Sequence, residues 1–187
     1  FVKVDDIADP YSAGEVELIH AAIERCGRPI VLSLSPGPAA LEHAAHLKAH
    51  ANMWRISWDF WDRWSDLHKN FALCAAWAEH AGPGHWPDAD MLPLGRVGIR
   101  SGFHGLPDRQ SLFTRDEQHM LITLWCMARS PLMFGGDLRD NDDWTLGLLT
   151  NREVLEVLRA SAGNRQLYRR DELVAWAAQA PDGGQYL

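Results

Sequence analysis

Long apolar runs are missing from the sequence, since none approaches the roughly 18 residues that a membrane-spanning helix requires. Cysteine is scarce: Cys26, Cys74 and Cys126 lie far apart in apolar segments without CxxC spacing, which excludes a cysteine-based zinc or redox motif and predicts buried free thiols. The 18 Lys and Arg residues are not clustered, and the formal net charge is -7. The basic surface that nucleic-acid binding needs is therefore missing too, so a neutral or small polar substrate is favoured and neither a nucleic-acid nor a membrane partner is expected.

Neither an initiator Met nor a charged leader with a cleavage site stands ahead of the first apolar segment, which begins at Phe1. We therefore expect the chain to be the middle of a longer protein, with any targeting signal outside it. Hydrophobic residues make up 47% of the sequence and charged residues 23%. These values are typical of a globular domain with a sizeable core.

Strand-like and helix-like segments alternate along most of the chain. Apolar runs predict strands at residues 1–5, 29–34 and 53–57, and helical patterns follow them at 12–27, 39–49 and 60–80. Further segments are a short strand or extended turn at 90–94, a helix at 115–129, an apolar run at 131–134 and a helix from 150 to about 160. Capping-box patterns introduce the helices at Ser12, Thr114 and Thr150. This order predicts a parallel α/β fold rather than a bundle or a sandwich.

The pattern changes after Gly163, where residues 166–169 and 173–178 read as two strands joined by a turn. We predict a boundary near residue 162, with a parallel β/α unit over 1–162 and the start of an antiparallel all-β domain over 163–187. Four or five βα units are too few for a closed eight-stranded barrel, which typically needs about 250 residues. Either the missing units precede Phe1 or the sheet is open.

Aspartates recur where the predicted strands end, which is where the open mouth of a β/α barrel lies. They are Asp5, Asp6, Asp59, Asp88, Asp90 and Asp137. Each one alone is more often a helix cap or a solvated loop residue. Together they supply the paired carboxylates that glycoside hydrolysis needs, one to attack the anomeric carbon and one to protonate the leaving oxygen. Among the nine tryptophans, Trp58 and Trp86 are the best candidates to cover a sugar face.

A metal-dependent hydrolase is the competing enzyme class. Imidazole and carboxylate side chains are close together around residues 79–90, in Glu79, His80, His85, Asp88 and Asp90. The helical histidines His43, His46 and His50 show no HExxH pattern and are expected to face away from a barrel mouth. We therefore expect no catalytic metal and no cofactor.

Five motifs follow one another in a recognisable order. They are KVD at residues 3–5, WRISWD at 54–59, AGPGHWPDADM at 81–91, LWCMARSPLM at 124–133 and LTNREV at 149–154. This series resembles glycoside hydrolase family 27 of clan D, the α-galactosidases and α-N-acetylgalactosaminidases, over nearly the whole chain. The resemblance implies a partial (β/α)8 TIM barrel, from about strand 4 to helix 8, followed by the beginning of an antiparallel β-sandwich domain.

The resemblance also assigns roles to individual residues. Asp5 matches the catalytic nucleophile and Asp59 the general acid/base, which must be protonated before the reaction. The substrate-binding positions of the family match Lys3, Arg55, Trp86, Asp90 and Met91. The arginine fork suits both a carboxylate and a sugar hydroxyl.

Departures from the family pattern concern the residues around the sugar. Leu34, Ser35 and Pro36 stand where the family usually has Cys-Glu-Trp, whose Glu helps to read the sugar. Asp6 replaces a Gly, Pro87 an Asn and Ala89 a Pro. The resemblance therefore implies a retaining exo-hydrolase of terminal α-linked galactose. The alternatives are the same mechanism on β-L-arabinopyranose, α-N-acetylgalactosamine or an α-glucoside, and a barrel that binds carbohydrate without cleaving it. A secreted or periplasmic location is expected from the resemblance only, and the sequence predicts no oligomeric state.

Overall fold

A computed structural model of the protein describes residues 1–98 and 107–187. Its central feature is a parallel sheet of four strands in the order β1-β2-β3-β4. These strands are β1 (Val2–Val4), β2 (Leu32–Leu34), β3 (Met53–Arg55) and β4 (Trp86–Asp88). Val4 is paired with Leu34, and Arg55 with Asp88, so all four strands end at one edge of the sheet. The predicted α/β class is confirmed.

Three helices connect these strands, and three more follow the sheet along the chain. They are α1 (Ala13–Cys26), α2 (Ala44–His50), α3 (Trp64–Trp77), α4 (Arg115–Ala128), α5 (Asp143–Leu149) and α6 (Arg152–Ala160). Single 3-10 turns precede α2 at Leu41–His43 and follow α3 at Ala78–His80. Within residues 1–98 and 107–187, no helix is long and apolar enough to cross a membrane.

Two of the predicted elements are placed differently in the structure. The fourth strand lies at Trp86–Asp88 and not at residues 90–94, because Asp90 has a positive φ of 84° that interrupts the extended backbone. Residue Leu92 instead forms an isolated parallel bridge with Phe134. The helix expected from residue 60 begins at Trp64, since the backbone N–H of Phe60 donates to the Asp90 carboxylate outside any helix.

The predicted capping patterns match the observed helix starts to different extents. Thr114 and Glu117 form the predicted capping box of α4 in full. At α1 the Ser12 side chain makes no capping bond within the described residues, and only its carbonyl accepts from the helix. At α6 the cap is Asn151 rather than Thr150, because the Asn151 side chain accepts from the N–H groups of Glu153 and Val154.

The core lies between the sheet and its helices. Its largest fully buried side chains include Trp54, whose ring lies 5.8 Å from that of Trp77, and Trp125, whose ring lies 5.0 Å from that of Phe60. The prediction of buried thiols is correct for Cys74 and Cys126, where burial raises the pKa of each thiol to about 12. It is wrong for Cys26, which is exposed in the last turn of α1.

Two small antiparallel sheets complete the structure. Strands β5 (Arg96–Val97) and β6 (Arg109–Gln110) form a pair, and β7 (Ala162–Arg170), β8 (Leu173–Gln179) and β9 (Gln185–Tyr186) form a three-stranded sheet. The last of these sheets begins two residues after α6 ends. The division into domains at residue 162 stays a prediction.

A buried carboxylate fixes the segment after β6 to the loop after β3. The Asp62 side chain is 1% exposed and binds the Arg109 guanidinium, with one contact of 2.8 Å, while it also accepts from the backbone N–H of Leu112 at 2.6 Å. Burial opposes ionisation, but the bonds from Arg109 and Leu112 outweigh it and lower the pKa of Asp62.

We expect Asp62→Asn to lower the free energy of unfolding of the full-length protein by about 3–5 kcal/mol, because it leaves the partly buried Arg109 without its counter-charge. Asp140→Asn is the matched control, since Asp140 is 58% exposed and binds Arg96 at the surface, where the loss should be at most about 1 kcal/mol. Urea unfolding at neutral pH measures both. Equal losses in the two variants would contradict the structural role assigned to Asp62.

Candidate active site at the strand ends

Four side chains form a row where the parallel strands end. Arg55 is paired with Asp88 across β3 and β4, and the Ser35 N–H donates to the Val4 carbonyl, which continues the ladder between β1 and β2. Asp5, Ser35, Arg55 and Asp88 therefore follow one another on neighbouring strands. The carboxyl ends of the strands form the mouth in a β/α barrel, so this row is the candidate active site.

Arg55 connects Ser35, a member of this row, to the carboxylates of Asp59 and Asp90. Its side chain is only 4% exposed, and its Nη2 lies 2.9 Å from Asp90 Oδ2 and 3.3 Å from Asp59 Oδ1. The other terminal nitrogen, Nη1, donates to the Ser35 hydroxyl at 3.4 Å. One buried guanidinium thus positions two carboxylates predicted for the site, as the planar fork of arginine allows.

The nucleophile candidate has its own cation. Lys3 Nζ lies 2.7 Å from Asp5 Oδ1, and both side chains are about half exposed. Lys3 and Asp5 are two positions apart, so the alternation of a β-strand places them on the same face. The ion pair holds the Asp5 carboxylate at the end of β1, where the nucleophile is predicted.

The candidate general acid/base, Asp59, is exposed and not buried. Its side chain is 71% exposed in this chain, and Arg55 is its ion-pair partner. Most of the Asp59 carboxylate is therefore open to solvent. The side chain does stand at the mouth, four residues after Arg55 and within reach of the same guanidinium.

Asp88 and Asp90 form a buried acidic pair beside Arg55. Burial, helped by the charge of Asp90, raises the pKa of Asp88 to about 6, although Arg55 and Lys3 act in the opposite direction. Burial also raises the pKa of Asp90. The Asp90 N–H donates to Asp88 Oδ1 at 2.9 Å, and the Asp90 carboxylate accepts from the Phe60 N–H at 2.7 Å. Asp90 is thereby fixed to the loop that carries Asp59.

From the sequence, Asp88 is one of the aspartates of the predicted mouth but has no individual role. The sequence does not show that its carboxyl would be almost fully enclosed. Lys3 and Arg55 are two cations near four carboxyls, those of Asp5, Asp59, Asp88 and Asp90. Carboxyls therefore outnumber cations at this edge of the sheet.

Met91 lies beside this group, next to Asp90. A Cβ atom added to Gly135 would lie only 2.6 Å from Met91 Sδ, so the glycine leaves room for the methionine side chain. The segment that follows Met91 is held to the segment around Gly135 by backbone bonds, including Leu92 N–H to Met133 O at 2.7 Å. Met91 therefore packs at the wall between the fourth strand and the next segment.

The structure places Trp86 apart from the other predicted site residues. Trp86 is paired with Met53 at the start of β4, two residues before the strand ends at Asp88, and its ring lies 5.0 Å from the Arg129 guanidinium in a cation-π contact. This places it at the opposite end of the strand from Asp88. Trp58 is the aromatic residue at the mouth: its ring is 62% exposed and lies 3.4 Å from where a Cβ on Gly37 would be, over the loop after β2.

The remaining aspartates of the predicted mouth have other environments. Asp6 is exposed and holds a left-handed backbone with φ of 60°, which explains why a Gly suits this position in the family pattern. Asp137 binds the Arg139 guanidinium, which lowers the pKa of its carboxyl to about 2.

The side chains of residues 79–90 that suggested a metal site do not bring three ligand atoms close together. Within residues 1–98 and 107–187, the group that does so is Glu17, His46 and His50.

Comparison with known proteins identifies the family of the chain. The sequence profile of the family described as Alpha galactosidase A matches residues 4–159. Alpha-galactosidase 2 of Arabidopsis thaliana is 31% identical over 128 residues, which cover 67% of this chain and 29% of the relative. An alpha-galactosidase of Cyamopsis tetragonoloba is 29% identical over 163 residues, 86% of this chain and 36% of the relative. The chain thus spans about a third of the length of these curated relatives.

Solved structures extend the similarity to the fold. A family 27 β-L-arabinopyranosidase from Geobacillus stearothermophilus, solved as a variant in complex with arabinose, is 56% identical with a TM-score of 0.95, over 99% of this chain and 44% of that chain. A Bacillus halodurans structure named for a proposed α-N-acetylgalactosaminidase is 49% identical with a TM-score of 0.79, over 98% of this chain and 42% of that one. The chain therefore belongs to the α-galactosidase A family, glycoside hydrolase family 27, and forms part of its (β/α)8 barrel together with a small antiparallel sheet.

Proposed function

We propose that the full-length protein that carries this chain is a retaining glycoside hydrolase, with Asp5 as nucleophile and Asp59 as general acid/base. The observation that carries the proposal is the set of contacts at the strand ends, where Lys3 contacts Asp5 and the buried Arg55 contacts both Asp59 and Asp90. A cation beside each reactive carboxylate keeps the group oriented at the mouth while leaving it accessible to a sugar.

The proposed reaction has two displacement steps. In the first, an Asp5 oxygen attacks the anomeric carbon while Asp59 donates its proton to the leaving oxygen, which gives a covalent glycosyl-enzyme and an alcohol. In the second, Asp59 removes a proton from water, the water oxygen attacks the anomeric carbon, and the Asp5 carboxylate is released. Two inversions leave the anomeric configuration unchanged.

For the sugar, we propose a terminal β-L-arabinopyranosyl group, although the sequence motifs alone favoured α-galactose. The support is the 56% identity with the Geobacillus stearothermophilus β-L-arabinopyranosidase over 99% of the chain. β-L-Arabinopyranose has the ring configuration of α-D-galactose but lacks the hydroxymethyl group, so one set of catalytic carboxylates suits both. The short, fully buried Ser35 contacts Arg55, where the family usually places a sugar-reading Glu, which is compatible with an altered pocket.

The second candidate is α-galactosidase activity, which the curated relatives favour. Hydrolysis of p-nitrophenyl glycosides by the full-length protein distinguishes the two. We expect kcat/KM for the β-L-arabinopyranoside to exceed that for the α-D-galactoside by about 10-fold to 200-fold, the range by which a fitted pocket discriminates between substrates that differ by one small group.

Other outcomes of the glycoside hydrolysis experiment would support other functions. A preference for the α-galactoside would support the second candidate, and a preference for another glycone would contradict both. No turnover of any glycoside, with retained binding of sugar, would indicate a carbohydrate-binding barrel. Proton NMR of the first-formed sugar tests the mechanism separately, because release of the opposite anomer would rule out double displacement.

A further inference from the structure

A cluster of metal-ligand side chains lies on helices α1 and α2, outside the candidate active site. Glu17 comes from α1, while His46 and His50 are four residues apart on α2 and therefore share one face of that helix. One ligand atom from each of the three lies within 4.8 Å of the others. Two imidazoles and a carboxylate are a ligand set that zinc sites use.

The hydrogen bonds of His50 fix its ring in the form that a metal needs. His50 Nδ1 lies 3.0 Å from the backbone carbonyl oxygen of His46. A carbonyl only accepts, so Nδ1 carries a proton and the neutral ring leaves its lone pair on Nε2. A backbone carbonyl that orients a histidine through its second nitrogen is a recurrent feature of metal sites.

His46 has an equivalent partner. Its Nδ1 lies 2.7 Å from the Tyr11 hydroxyl and its Nε2 lies 2.9 Å from Glu17 Oε1. Without a metal, the carboxylate requires a proton on Nε2, and Tyr11 donates to Nδ1. With a metal on Nε2, the proton moves to Nδ1 and the Tyr11 oxygen becomes its acceptor. The hydroxyl can do either, so the same contact supports both forms of the ring.

We propose that Glu17, His46 and His50 bind a divalent transition-metal ion of the zinc class on the outer surface of the barrel. Ligand atoms at 2.0–2.2 Å from a tetrahedral ion lie roughly 3.4 Å apart, so small rotations of the three side chains close the observed spacing. All three are at least partly accessible, which permits these rotations and leaves the remaining coordination position to water. Imidazole ligands favour Zn²⁺, Ni²⁺ or Cu²⁺ over Mg²⁺ and Ca²⁺. The ion would join α1 to α2 and take no part in the sugar chemistry.

Isothermal titration of the full-length protein tests this site. The protein is prepared without a polyhistidine tag, treated with EDTA and dialysed, and then titrated with ZnCl₂ or MgCl₂. We expect one Zn²⁺ to bind per chain, no Mg²⁺ to bind at this site, and the unfolding temperature to rise with Zn²⁺ concentration, because a ligand that binds the folded state stabilises it. His46→Gln and His50→Gln should each weaken Zn²⁺ binding by at least about 100-fold, and Tyr11→Phe by about 10-fold.

His80→Gln is the matched control, because His80 is also paired with a glutamate, Glu79 at 3.6 Å, but is not part of the three-ligand group. It should retain wild-type affinity. Glu17→Gln is a further variant. It changes an exposed side chain, so we expect it to fold, and it tests the site even if a histidine variant fails to fold. Absence of Zn²⁺ binding by the wild type would overturn the proposal. Zn²⁺ binding with wild-type affinity by both Glu17→Gln and a folded His46→Gln would overturn it as well.

Discussion

Replacing Asp5 with asparagine is expected to lower kcat of the full-length protein on aryl glycosides by at least about 10⁴-fold. The amide has nearly the shape of the carboxylate, but it has no negative charge to attack the anomeric carbon and is a poor group for forming the glycosyl-enzyme. Lys3, which contacts Asp5 at 2.7 Å, would face a neutral side chain. Initial rates on the preferred p-nitrophenyl glycoside measure the effect, with urea unfolding as a check that the variant is folded.

Asp6→Asn is the matched control for this substitution. It makes the same chemical change one residue later, at a position whose left-handed backbone asparagine adopts readily. We expect its kcat to stay within a few-fold of the wild type. A second measurement identifies the nucleophile directly: a 2-fluoro glycoside should label the wild-type peptide at Asp5, as seen by mass spectrometry. Label on another residue, or undiminished turnover in Asp5→Asn, would contradict the assignment of Asp5 as the nucleophile.

Much of the site could be predicted because it depends on chain order and strand alternation. Asp5 and Arg55 lie at the ends of strands that are adjacent and parallel, and parallel strands place their carboxyl ends at one edge. Motifs distant in sequence are thereby brought into one row. Asp90 lies beside Arg55 for the same reason, since its loop follows the next strand in the sheet.

The differences between prediction and structure arise where one or two residues along the backbone decide the outcome. Trp86 lies only two positions before Asp88, yet that distance along a strand separates the amino end from the mouth. The positive φ of Asp90 prevents a regular strand over residues 90–94, and the fourth strand lies at Trp86–Asp88 instead. Ser12 precedes a helix with Glu15 three residues later, but its side chain adopts another arrangement. Sequence patterns give the type of element more reliably than its register or its last residue.

Features that depend on tertiary packing were out of reach of the sequence. The burial that raises the pKa of Asp88 to about 6 comes from surrounding elements and has no local signature. The spacing of His46 and His50 is visible in the sequence, whereas their third partner, Glu17, lies on another helix 29 residues before His46. Only the packing of α1 against α2 brings the carboxylate to the imidazoles.

Asp59→Ala should separate the two steps of the reaction through the leaving group. For a glycoside with a poor, alcohol-like leaving group, loss of the general acid should lower kcat/KM by about 10²-fold to 10⁴-fold, because the departing oxygen must then carry full negative charge. For a dinitrophenyl glycoside, whose leaving group is already stable as an anion, kcat/KM should change by only a few-fold. The measurement is a plot of log kcat/KM against the pKa of the leaving group for wild type and variant.

Azide extends this test to the second step. It is a strong nucleophile that needs no general base, so it should restore turnover of the dinitrophenyl glycoside by Asp59→Ala and give a glycosyl azide of retained configuration. The same azide should not produce this retained product with Asp5→Asn, because that variant forms no glycosyl-enzyme. Asp66→Ala, on the surface of α3 where Asp66 binds Arg63, is the control and should behave as the wild type. A uniform loss across all leaving groups would show instead that Asp59 binds or positions the sugar, and that its contact with Arg55 serves substrate binding rather than proton transfer.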